Sequence, residues 1–154
     1  MPPADDLDRI MAVMAAAFDP AYGEAWSRRQ VEDSLLLGYT HYLLIGAEGH
    51  MPPLGDEAAG FALSRTGFDE EELLLFAVVP AKRGQGLGAA MLARLAADAR
   101  ARGARRLLLE MRAGNPAQRL YSAFGFKQIG QRPKYYRLAS GGTADAITFA
   151  CDLL

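Results

Sequence analysis

The chain has 154 residues, 51% of them hydrophobic and 23% charged, which suits one soluble domain, residues 1–154, with a sizeable core. No apolar run reaches the roughly 18 residues of a membrane span, no basic-then-apolar leader opens the chain, and the single Cys151 excludes an internal disulfide, so a cytoplasmic protein is expected. The net charge of −1 hides a segregation: residues 1–72 hold fourteen acids and four bases, whereas residues 82–137 hold thirteen bases and two acids.

Arg100 and Arg102 account for part of that asymmetry, since a helix C-terminus favours cations. The remainder suits a polyanionic small molecule held by the second half. Nucleic acid is not expected, because the aromatics do not interleave with the basic residues. His41 and His50 make no metal-ligand spacing, so no metal is expected either.

In chain order, Asp5 or Asp6 can cap a first helix reaching about Phe18, with Leu7, Ile10, Met11 and Met14 as its apolar stripe. Asp19 to Ala25 is a turn-rich loop. Ser27 and Gln30 form a capping box for a second helix ending near Gly38. Trp26, just before that cap, is either a hydrophobic staple or the wall of a substrate groove. Tyr39 to Ala47 and Ala59 to Thr66 read as a strand pair, joined by a loop that is long for a hairpin. Asp69 to Glu72 reads as a solvated acidic turn.

The central unit follows. Leu73 to Val79 is a short apolar run stopped by Pro80, which suits a strand buried on both faces. Gly84, Gly86 and Gly88 form a turn, and Leu87, Met91 and Leu95 then mark one face of a helix that Gly103 closes. Leu107 to Met111 is a second buried strand, parallel to the first by the right-handed crossover rule. Pro116 to Phe124 reads as a short helix with Gly125 beyond its end. Lys127 to Tyr135 and Ala146 to Leu153 read as a closing antiparallel pair.

Closely spaced glycines let backbone N–H groups converge, and the helix start adds the positive end of its dipole. Beside Lys82 and Arg83, that turn suits a pyrophosphate better than a plain tight turn. Gly84-x-Gly86-x-x-Ala89 fits the dinucleotide fingerprint, but four residues separate it from the strand end, and the chain leaves little room for the sheet that fingerprint needs. Arg83-x-x-Gly86-x-Gly88 instead resembles the coenzyme A pyrophosphate loop of the GNAT superfamily of N-acetyltransferases. The order of elements is similar to that superfamily across almost the whole chain. The resemblance implies an α/β (α+β) fold: one mixed central sheet with a splayed parallel strand pair, flanked by four helices, its first strand shortened or absent. It also implies acetyl-CoA as co-substrate, with Arg83, Gly84, Gln85, Gly86, Leu87 and Gly88 on the pyrophosphate. Ala77, Val78 and Val79 would bond the pantetheine through their backbones, and the Val79 region would supply an oxyanion donor.

Acetyl transfer to an amine requires a base for the amine and a proton for the leaving thiolate. Glu110 interrupts the apolar Leu107–Met111 run, and an ionised carboxylate there is unfavourable unless paired. It is either the base or half of an ion pair with Arg106 or Arg112. Glu110-Met-Arg112-Ala-Gly-Asn115, then Leu120-Tyr121 and Gly125-Phe126, resembles the ribosomal-protein-alanine N-acetyltransferase branch, as does Arg132-x-x-Tyr135-Tyr136 with Asp145-Ala146-Ile147. That branch implies Glu110 as base, Tyr121 as acid at the sulfur and Asn115 on the pantetheine arm. The step from Asn115 to Tyr121 is one residue shorter than the family's usual spacing, and Lys134 stands where the branch often has Asn. Residues alone also allow Tyr121 to be a core aromatic. The branch resemblance implies a protein or peptide N-terminus as partner, such as that of a ribosomal protein, met in a groove floored by Trp26 and Tyr135; the protein itself is expected to be a monomer or weak dimer. The rivals are a lysine, polyamine or small-amine acetyltransferase, and a non-catalytic acyl-CoA sensor.

Overall fold

The computed structural model describes residues 3–153. Its first helix, α1 (Ala4–Ala17), buries Leu7, Ile10, Val13 and Met14. Pro3 precedes it and no side chain caps it, so the expected Asp5 or Asp6 cap is not formed. Both aspartates lie inside the first turn, where the helix dipole favours them, and Asp6 accepts a 2.5 Å bond from the Tyr42 hydroxyl. α2 (Arg28–Leu35) starts as its sequence dictates: Gln30 N–H donates to Ser27 Oγ at 3.2 Å, and Ser27 N–H donates to Gln30 Oε1 at 2.7 Å.

Six strands follow in the expected order, interrupted by two helices: β1 (Thr40–Ile45), β2 (Gly60–Gly67), β3 (Glu70–Val78), α3 (Leu87–Ala101), β4 (Arg106–Arg112), α4 (Gln118–Phe124), β5 (Lys127–Arg137) and β6 (Thr143–Asp152). They form one mixed sheet in the order β1-β2-β3-β4-β6-β5, in which only β3 and β4 are parallel. No strand precedes α1 among the described residues. The acidic stretch before Leu73 is not a solvated turn. Its glutamates open β3, and Glu71 is fully buried because Arg102 and Ser64 hydrogen-bond its carboxylate.

The sheet is covered on both faces. α3 and α4 pack on one through Leu87, Met91, Leu92, Leu95 and Tyr121. α1 and α2 cover the other, where Ile10, Val31, Phe61 and Leu75 form a second cluster. Each fully buried large side chain contributes about 1.5–3 kcal/mol.

One irregularity positions everything that follows. β2 and β3 shift register so that Leu63 faces Leu75 while Ser64 faces Leu73, leaving Leu74 as an extra residue. A bulge of this kind bends its strand and adds twist. The parallel pairing with β4 ends at the same place, at Leu73 opposite Leu109. Beyond that point the two strands splay, as expected, and the edge of β3 from Leu74 to Val78 has no strand beside it on the β4 side.

Candidate active site

A cavity of about 390 Å³ occupies the splay. Leu73 to Phe76 of β3 form one wall and Leu109 to Met111 of β4 the other. Tyr22 to Trp26, on the segment between α1 and α2, close a third side, while Asn115, Tyr121 and Tyr136 complete it. Four of the residues singled out in the sequence therefore meet in one space: Glu110, Tyr121, Asn115 and Trp26.

Alternation along β4 turns Leu107, Leu109 and Met111 to the α3 core and Glu110 to the other face. The Glu110 carboxylate is 23% exposed. Arg132 Nε lies 3.5 Å from its Oε2, and Thr148 Oγ1 donates to the same oxygen at 3.4 Å. Its cationic neighbour is thus on β5, not the Arg106 or Arg112 expected from strand spacing. Those two pair with Glu70 and Glu24.

Tyr121 is buried, with its ring edge-on to both Phe76 and Phe126 at 5.8 and 5.7 Å. It is a core aromatic that also lines the cavity. Burial, helped by the negative charge of Glu24, holds its phenol well above the usual range, so it stays protonated. Tyr136 is pushed up to about 12, first by burial and then by the charges of Glu110 and Glu24. Asn115 accepts a 2.9 Å bond from Ala117 N–H with its side-chain oxygen, which fastens the start of α4.

The glycine turn lies between β3 and α3. Gly84 and Gly86 hold φ of +77° and +82°, and a Cβ at either would meet open space. Gly86 is the N-cap of α3, and no side chain caps that helix. Leu87 is buried in the core, while Gln85 is exposed. Gly88 matters for packing instead, because a Cβ there would come within 2.8 Å of Leu120; its absence lets α4 approach α3. The Arg83 guanidinium donates to the carbonyls of Val78 at 3.1 Å and Ala17 at 3.3 Å, tying the turn to the strand end and to α1.

Backbone directions alter the expectation for Ala77, Val78 and Val79. The Val79 N–H bonds the Ala59 carbonyl and its carbonyl accepts from Lys82, so Val79 has no free group for an oxyanion. In an antiparallel ladder, residues turn alternately toward and away from the partner. Ala77 therefore faces β2 with Val79, and Phe76 and Val78 turn their backbone groups to the open edge, where the Val78 carbonyl already accepts from Arg83.

The match to the acetyltransferase (GNAT) family model covers residues 9–126. The chain belongs to this family. A curated [ribosomal protein bS18]-alanine N-acetyltransferase of Haemophilus influenzae is 36% identical over 98 residues, 64% of this chain and 67% of that protein. A putative [ribosomal protein bS18]-alanine N-acetyltransferase of Bacillus subtilis is 32% identical over 134 residues, 86% of this chain and 82% of that protein. The crystal structure of the ribosomal-protein-S18-alanine N-acetyltransferase from Escherichia coli superposes with a TM-score of 0.81 at 28% identity, covering 99% of this chain and 90% of that one.

The acetyltransferase has room for the co-substrate its family uses. The uncapped start of α3 and the open space over Gly84 and Gly86 fit a pyrophosphate, and the free edge of β3 fits an arm added like a strand. Two of the cavity residues that escaped the sequence reading bear on its chemistry. Tyr136 lines the space, whereas Tyr135 is 52% exposed and stacks edge-on against it at 5.2 Å. The irregularity between Arg132 and Tyr136, where Lys134 takes φ +54°, breaks the alternation that would have told them apart. Glu24 is the other, half-buried on an irregular segment where an acid ordinarily signals only solvent. Ala139 N–H bonds the Ala21 carbonyl at 3.1 Å, which joins the β5–β6 loop to the segment between α1 and α2.

Proposed function

We propose that this acetyltransferase, acting as a single domain in the cytoplasm, transfers the acetyl group of acetyl-CoA to a protein N-terminus, the alanine of ribosomal protein bS18. The observation that carries this reading is the convergence of Glu110, from β4, and Tyr121, from α4, on one cavity at the splay. The names of the Haemophilus and Bacillus relatives support the acceptor.

Acetyl-CoA supplies an activated acyl group as a thioester. The chain's residues do the rest. Glu110 takes a proton from the acceptor's ammonium, freeing the lone pair that forms the C–N bond, and the extra proton the nitrogen then carries is lost to water as the amide forms. Tyr121, kept protonated by its buried setting, donates its proton to the sulfur as the C–S bond breaks. Gly84, Gly86 and the start of α3 hold the pyrophosphate, with Phe76 and Val78 bonding the pantetheine arm. Trp26 and Tyr136 shape the acceptor end.

Thiol release from acetyl-CoA, measured against N-terminal peptides, lysine peptides and free amines, tests the reading. Release with the alanine peptide, and mass-spectrometric placement of the acetyl on its α-amine, is the expected result. Release confined to lysines or small amines would identify the rival acceptor class. Acetyl-CoA binding with no release for any amine would indicate a sensor.

A further inference from the structure

Glu110 is not the only carboxylate in the cavity. Glu24 enters it from the segment before α2, while Glu110 enters from β4. Their surroundings differ. Glu110 has Arg132 at 3.5 Å and a hydrogen bond from Thr148. Among the described residues, Glu24 has one cationic neighbour, Arg112, whose Nε is 3.9 Å from its Oε1 and beyond hydrogen-bond reach. Arg112 is committed elsewhere, its guanidinium carbon stacked 3.6 Å over the Tyr22 ring centre, and its buried Nε finds no hydrogen-bond partner.

We infer that Glu24 is the group that receives the acceptor's ammonium, holding it beside Glu110 until the proton is removed. The inference rests on the peptide-acceptor reading above. The half-buried Glu24 carboxylate has Arg112 as an ion-pair neighbour but takes no hydrogen bond from it, and an ammonium brings three donors and a second complementary charge. An N-terminal amine has a pKa of about 8, so it arrives at neutral pH mostly as the cation. Burial pushes the Glu24 carboxyl up against the pull of Arg112, so a second cation would relieve its charged form. The division of labour is then binding by Glu24 and proton removal by Glu110. The consequence is selectivity for a cationic amine over a neutral isostere.

The test is calorimetric titration of an alanine-terminated acceptor peptide and of its des-amino analogue, in which hydrogen replaces the ammonium. Each is added to the wild-type protein and to Glu24→Gln at neutral pH. The variant is expected to bind the amine peptide about tenfold more weakly, as for loss of a charge-assisted hydrogen bond, and the des-amino peptide as wild type does. Equal weakening of both peptides would mean that Glu24 merely supports its loop, and no weakening of either would mean that it is idle; both overturn the inference. If Glu24→Gln does not fold, Glu24→Asp should give a smaller loss confined to the amine peptide, and a loss shared by both peptides overturns the inference. If the wild-type protein neither binds nor acetylates any N-terminal peptide, the acceptor reading fails and takes this inference with it.

Discussion

Glu110 and Tyr121 share a cavity, yet their side chains sit in different physical situations, and that difference separates their expected roles. Glu110→Gln keeps shape and most hydrogen bonding but removes basicity, so kcat is expected to fall by roughly 10²–10⁴ while calorimetric acetyl-CoA affinity is unchanged. Wild-type turnover by a folded Glu110→Gln would reduce Glu110 to a partner of Arg132. Tyr121→Phe should also lower kcat, but its deficit should shrink with a thioester whose leaving thiol is more acidic, because such a thiolate needs less help. Glu110→Gln should show no such rescue. A deficit in Tyr121→Phe that ignores the leaving group would leave Tyr121 as a core aromatic between Phe76 and Phe126. Glu110 was legible in the sequence because a charge inside an apolar strand has to be explained. Glu24 was not, since its burial comes from the fold and not from its neighbours in the chain.

At the scale of elements, local signals marked most boundaries. The Ser27–Gln30 box formed as written, and removing it has a stated consequence: Ser27→Ala should cost about 1 kcal/mol of stability in urea titrations. It should also raise the KM for the peptide more than that for acetyl-CoA, because the cap fixes the turn that carries Trp26. Equal changes in both would show that the cap matters only for folding. The β2–β3 contact left no such signal. A Cβ on Gly60 would lie 2.7 Å from the Ala77 carbonyl oxygen, a backbone atom that cannot swing away, and 3.1 Å from Met91. Gly60→Ala is therefore expected to lower stability by about 1–3 kcal/mol as the strands are forced apart. An unchanged urea midpoint would mean that the sheet yields there without penalty. The Leu74 bulge was equally invisible, because an unbroken run of leucines carries no mark of which one is extra. Yet that bulge is what turns β3 aside and creates the cavity.

Across the whole molecule, the acidic first part and basic second part meet along β3 and β4. Their ladder is only the stretch Glu70–Leu73 against Arg106–Leu109, since the rest of the seam is the cavity. Ion pairs reinforce that short join: Arg106 Nε donates to Glu70 at 2.7 Å, and Arg102 donates to Glu71 at 2.9 and 2.6 Å. The segregated charges therefore serve the fold as well as any ligand, which composition alone does not reveal. Glu71 makes this measurable. Burial pulls its carboxyl pKa up, but the Arg102 and Ser64 hydrogen bonds outweigh that and hold it below the ordinary value. Unfolded Glu71 thus binds its proton at higher pH than folded Glu71. Its contribution is fully present above the unfolded pKa, about 4.3, and is lost as pH falls through the folded one. Arg102→Met strands the carboxylate without its cation, at an expected cost of about 3–5 kcal/mol at neutral pH. With the cation gone and mainly the Ser64 hydrogen bond left to oppose burial, the Glu71 pKa is expected to rise in the variant, so acid neutralises the stranded charge there while it breaks the pair in the wild type. The gap between the two urea midpoints should accordingly narrow as pH falls from about 7 to about 4. A gap that stays constant over that range would mean that the loss comes from Arg102 packing and not from the buried charge.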